Sequence, residues 1–87
     1  MGRLYSGNLN AFKAACKRLQ QLDFVVIVDE FICQDSSTNV MAIRVEDMTG
    51  NIIDMVKYRH RDEDVLYNTA TDWLNRIATQ LSTWSKY

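Results

Sequence analysis

Residues 40–52 read Val40-Met41-Ala42-Ile43-Arg44-Val45-Glu46-Asp47-Met48-Thr49-Gly50-Asn51-Ile52. From Val40 to Glu46 the side chains alternate, with Met41, Ile43 and Val45 on one side and Val40, Ala42, Arg44 and Glu46 on the other. That period of two belongs to a half-buried strand, and the apolar trio marks its core face. Asp47 to Asn51 then supplies a short polar loop whose Gly50 tolerates a positive φ, so the chain reverses into a second strand over about 52–59. In this second strand Ile53 and Met55 oppose Ile52, Val56 and Tyr58. Both parities are apolar, and periodicity leaves its register open.

Upstream, Phe24-Val25-Val26-Ile27-Val28 is a β-branched run with apolar residues on both parities, so a strand over about 24–33 carries oily side chains on both faces. Asp29 and Glu30 interrupt it before Phe31-Ile32-Cys33. The interruption predicts either a bulge or a strand that leaves the covered part of its sheet. Gln34 to Asn39 is rich in Asp, Ser, Thr and Asn, which bond back to local backbone and favour a turn.

Both flanks are helical. Phe12, Ala15, Cys16, Leu19 and Leu22 recur at three- and four-residue steps and predict a helix over about 9–22, with Lys13, Lys17, Arg18, Gln20 and Gln21 on its wet side. Leu66, Ala70, Trp73, Leu74, Ile77, Leu81 and Trp84 keep the same spacing without glycine or proline, which predicts a long helix over about 63–85. Asp62 suits its cap, and Glu63 and Asp64 complement the positive end of the helix dipole. The expected fold is a single α+β domain over 1–87, of order α-β-β-β-α. Its three-stranded antiparallel meander carries two helices on one face, because both connections between strands are short enough for hairpins. A long last helix overhangs such a sheet and brings Trp84 and Tyr87 either under the N-terminal segment or out as an aromatic patch.

Composition narrows the function classes. At 87 residues, with 47% apolar and 24% charged residues, the chain is sized for one globular core and is neither a disordered tail nor a membrane segment. No apolar run reaches bilayer length and no basic start precedes one, so a cytoplasmic protein is expected. Two cysteines, Cys16 and Cys33, and a single histidine, His60, are too few for a conventional structural zinc site, and the thiols are read as reduced packing residues. No nucleophile signature accompanies His60, and no phosphate loop or dinucleotide fingerprint links Gly2, Gly7 and Gly50. The carboxylates of Asp29-Glu30 and Asp62-Glu63-Asp64 lack calcium-loop spacing. The expectation is a non-catalytic chain without metal or cofactor.

The net charge of −1 conceals a pattern. Asp29, Glu30, Asp35, Glu46, Asp47 and Asp54 face one base, Arg44, and make the central region acidic, a surface that steers a basic partner. Lys57, Tyr58, Arg59 and Arg61, joined by Lys13, Lys17 and Arg18, form the alternative: an anion- or nucleic-acid-binding strip, provided both basic groups share one surface. Two helices cover only one face of a three-stranded sheet, so surplus apolar surface remains. Its candidate occupants are a protein partner, a second copy of the chain, or the chain's own termini. The leading expectation is therefore a protein-binding module, an inhibitor or adaptor.

The order α-β-β-β-α resembles that of double-stranded RNA-binding domains. In that family lysines at the start of the second helix meet phosphates, whereas the matching positions here are Asp62, Glu63 and Asp64, which repel them. The order is also similar to that of some small phage-encoded anti-CRISPR inhibitors. That resemblance implies a compact acidic domain that occupies a nucleic-acid-binding surface of its target.

Overall fold

The structure, a computed structural model, describes residues 6–34 and 37–85. Helix α1 spans Ser6–Gln21, strand β1 Val25–Cys33, β2 Thr38–Glu46, β3 Ile52–His60 and helix α2 Glu63–Ser85. The strands lie in the order β1-β2-β3, both pairs antiparallel, as two hairpins in succession dictate. The α1 helix begins six residues before Phe12, the first of its apolar stripe, and β2 two residues before its alternation.

Helix α1 closes on a Schellman cap. The Phe24 N–H donates to the Leu19 carbonyl and the Asp23 N–H to the Gln20 carbonyl, both at 3.0 Å, with Asp23 in the left-handed region at φ 70°. This reversal turns the chain from helix into β1 in three residues and sets Phe24 against Leu19 in the core. At the start of α2 the Asp62 carboxylate accepts from the Asp64 N–H at 2.9 Å, satisfying one orphan donor of the first turn.

Strand β1 is unbroken. Its register with β2 runs without interruption from Val25 opposite Glu46 to Cys33 opposite Thr38. Asp29 and Glu30 therefore mark a strand leaving the covered part of the sheet, and Ile32, although on the helix side, is 64% exposed. The bulge lies instead in β3. Val45 pairs with Asp54 but Glu46 pairs with Ile52, so Ile53 is the extra residue. Beyond the bulge Val56 and Tyr58 turn to the helices, and Met55, Lys57 and Arg59 turn away.

Both helices pack on one side of the sheet, α1 over β1 and α2 over β2 and β3. The core joins Phe12, Ala15 and Leu19 of α1, Met41, Ile43 and Val45 of β2, and Leu66, Ala70, Trp73, Leu74, Ile77 and Ala78 of α2. Each fully buried leucine, isoleucine or methionine contributes about 1.5–3 kcal/mol of transfer free energy. The helices meet through an edge-to-face pair, Phe12 and Tyr67, with ring centroids 5.2 Å apart and planes at 69°. Neither cysteine forms a disulfide, and burial pushes the Cys16 thiol pKa up. No helix among the described residues is long and apolar enough to cross a membrane.

Candidate functional site

Among the described residues, no helix or strand lies over the sheet face away from the helices. Strand alternation and register assign to it Val25, Ile27, Asp29 and Phe31 of β1, Val40, Ala42, Arg44 and Glu46 of β2, and Ile52, Met55, Lys57 and Arg59 of β3. Val25, Phe31, Ile52 and Met55 are large apolar residues left exposed, Met55 to 59%. Four of the eight large apolar residues exposed among the described residues thus share this face, a concentration of the kind that interaction surfaces show. Val40 and Thr38, at the start of β2, are the exceptions on this face, 2% and 9% exposed.

At the centre, Ala42 is the smallest side chain of the middle strand. Around it Ile27, Asp29, Arg44, Met55 and Lys57 stand taller, leaving an open depression of about 270 Å³. Arg44 is held beside it, its Nε donating to Glu46 Oε2 at 2.6 Å. Asp29 and Lys57 sit opposite one another on either side of Ala42. Two strand spacings place them about 10 Å apart at the backbone, and no ion pair joins them. Among the described residues neither has a hydrogen-bond or ion-pair partner.

The acidic residues singled out from sequence do not form one patch. Asp29 and Glu46 lie on the open face, while Glu30 points to the helix side, where it accepts from the Tyr67 hydroxyl at 2.6 Å. Asp54 also lies on the helix side of β3, its carboxylate accepting from the Met55 N–H at 2.8 Å. Asp47 organises the β2–β3 loop, accepting from the Thr49 hydroxyl at 2.6 Å and from the backbone N–H groups of Thr49 and Asn51. Those bonds, the Thr49 hydroxyl's foremost, hold its pKa below the usual carboxylate range. Asp35 lies outside the described residues.

The basic residues are split across the two layers. Lys57 and Arg59 project from the open face, whereas Lys13, Lys17 and Arg18 are exposed on α1 in the helical layer. Arg18 is tied to α2, its Nη1 donating to Asn75 Oδ1 at 2.9 Å. Arg61 follows the end of β3, and Tyr58 packs against the core, where burial pushes its phenol pKa up. Thus the two basic groups do not share a surface. Trp84 falls in the last turn of α2, but its side chain, like all of Tyr87, lies outside the described residues.

No group of three or more histidine, cysteine, aspartate or glutamate side chains among the described residues is placed to hold a metal ion. His60 Nδ1 is engaged locally, accepting from the Asp62 N–H at 2.9 Å. Sequence reasoning found the surplus of apolar surface but assigned none of Val25, Ile27, Phe31, Ile52 or Met55 to a binding site. The signal was the double apolar parity of β1 and β3. What it lacked was the register of β3 across the bulge.

A two-layer α+β domain with an uncovered apolar sheet face and no assembled catalytic cluster among its described residues has the build of a protein-binding module. The chain belongs to the family described as Bacteriophage T7-like, gene 1.2, which matches residues 1–85. It is 51% identical over 84 residues to a protein of Escherichia phage T7 described as an inhibitor of dGTPase, with 97% of this chain and 99% of that protein covered. It is 32% identical over 89 residues to the gene 1.2 protein of Enterobacteria phage T3, with 97% of each covered.

Proposed function

We propose that this chain is a non-catalytic inhibitor that binds a dGTPase of the infected cell through its uncovered sheet face. The observation that carries the reading is the near full-length match, at 51% identity, to a phage protein described as an inhibitor of dGTPase. The apolar face supplies the means. Inhibition by binding needs no chemistry from the inhibitor, only a rigid surface that occupies or locks the enzyme.

Size argues for the rim as well. Three strands of nine residues present a face about 30 Å by 14 Å, or roughly 400 Å², whereas a standard interface buries about 800 Å² on each partner. The remainder comes from the borders of the face. There Glu46 at the end of β2 and Asp47 in the β2–β3 loop add negative charge. A basic surface on the enzyme complements that rim and speeds encounter.

The test is hydrolysis of dGTP by a purified dGTPase, titrated with the purified, nucleic-acid-free chain. Inhibition that saturates near stoichiometric ratio is expected. The double variant Ile52→Asp with Met55→Asp, both exposed in the free protein, loses inhibition while keeping its circular dichroism. Lys13→Glu with Lys17→Glu, in the helical layer, keeps it. Loss with the helix variant and retention with the sheet variant would move the interface to the other side of the molecule. Absence of inhibition by the wild-type chain, under conditions where the phage T7 relative inhibits, would end the reading.

A further inference from the structure

We propose that the depression over Ala42 is the anchor site of that interface and receives an aromatic side chain of the dGTPase that carries a hydrogen-bond donor, a tryptophan or a tyrosine. The inference rests on the reading that the uncovered face binds a dGTPase.

Three observations converge on this occupant. The first is size. A closed apolar cavity of about 150 Å³ holds a benzene molecule, so an open depression of about 270 Å³ has room for an indole or phenol ring. The second is the lining. Ile27 and Met55 form apolar walls, and a methionine sulfur beside a ring edge adds a favourable contact. The third is charge. Asp29 stands free on one side of Ala42 and Lys57 on the other, with the Arg44 guanidinium already oriented by Glu46.

An aliphatic anchor would leave Asp29 and Lys57 unanswered as the interface closed, and a buried unpaired charge is costly. A phenol O–H or indole N–H seated over Ala42 donates to the Asp29 carboxylate, while the face of the same ring attracts the Lys57 ammonium and the Arg44 guanidinium. An acidic side chain would suit Lys57 but repel Asp29, and a basic one the reverse. Aromatic residues in well-packed pockets also dominate measured interface energetics, ringed by contacts that mainly exclude water. Across β1, β2 and β3 the face reads Asp29, Ala42, Lys57, a charged pair around a floor with no side chain beyond Cβ.

The decisive variant is Ala42→Phe, which fills the depression from the inhibitor's own side. Its added ring points away from the helices, so the urea midpoint should stay close to wild type. The concentration giving half inhibition of dGTP hydrolysis should rise at least tenfold. Should Ala42→Phe not fold, Ala42→Val carries the same test with a smaller rise. Lys17→Ala, exposed on α1 in the helical layer, should inhibit like wild type.

A folded Ala42 variant that inhibits with wild-type potency overturns the anchor while leaving the docking face intact. A wild-type chain that does not inhibit removes the reading beneath it instead. The chemical class is checked by titrating the free chain with indole and, separately, isobutanol, following backbone amide shifts. Saturable shifts at Ile27, Ala42 and Met55 with indole, absent in Ala42→Phe, are expected. Equal shifts with isobutanol, or none with either, would remove the aromatic assignment.

Discussion

Ile43 and Met55 separate the two faces of the sheet, and truncating each to alanine should give opposite results in two assays. Ile43 is 1% exposed and packs beneath both helices, whereas Met55 is 59% exposed on the other side. Ile43→Ala removes three methyl or methylene groups from a close-packed interior and leaves a void, which costs about 2–5 kcal/mol. A domain of this size is stable by about 5–15 kcal/mol. A loss near 3 kcal/mol lowers the melting temperature by roughly 12–24 °C, at about 4–8 °C per kcal/mol. Met55→Ala gives up only the shielded part of a side chain worth about 1.5–3 kcal/mol when fully buried, so the cost is under about 1 kcal/mol. Thermal unfolding followed by circular dichroism reads the first effect. Titration of dGTP hydrolysis at a temperature where both variants are folded reads the second. There Met55→Ala should weaken inhibition and Ile43→Ala should not. A Met55→Ala variant as unstable as Ile43→Ala would mean that a layer covers this face and that the register of β3 is misassigned.

Three further outcomes follow from local geometry. Gly50 sits at φ 92° with nothing within 4 Å of where a Cβ would stand; Gly50→Ala should therefore cost about 1 kcal/mol in urea unfolding, all of it backbone strain rather than collision. Asp23 occupies the left-handed position of the α1 cap, and Asp23→Gly should raise stability by roughly 0.5 kcal/mol, relief of strain outweighing the entropy of glycine. The Asp47 carboxyl is held below its ordinary pKa by bonds from the Thr49 hydroxyl and the Asn51 and Thr49 amides. Its stabilising contribution is thus complete above the unfolded value, near pH 4, and is lost as the pH falls through the folded value. Asp47→Ala should flatten the acid limb of a stability–pH curve, and an unchanged limb would show that the loop bonds do not persist in solution.

Much of the fold is legible in the sequence because it rests on periodicity. The spacing from Leu66 to Leu81 admits only a helix, and Met41, Ile43 and Val45 declare the core face of β2 before any contact is known. The surplus of apolar surface is legible too, since a β1 that is apolar on both parities exceeds what two helices cover. The site itself is not. Charges adjacent in sequence, such as Asp29 and Glu30, part to opposite faces of a strand, and Lys57 and Tyr58 do the same. Acids and bases that look like patches along the chain are dispersed by alternation.

By itself, the amino-acid sequence determined the element order, the helical stripes, the one strand with clean alternation and the lack of any catalytic signature. Tertiary structure alone decided which face of the sheet stays uncovered and which side chains meet there. The physical reason lies in β3. Its apolar residues occupy both parities, so no local preference distinguishes the faces, and the single extra residue at Ile53 reverses the alternation between Ile52 and Asp54. Only the packing of α2 against Val56 and Tyr58 fixes that choice, and with it the exposure of Met55, the position of Lys57 opposite Asp29, and the depression over Ala42.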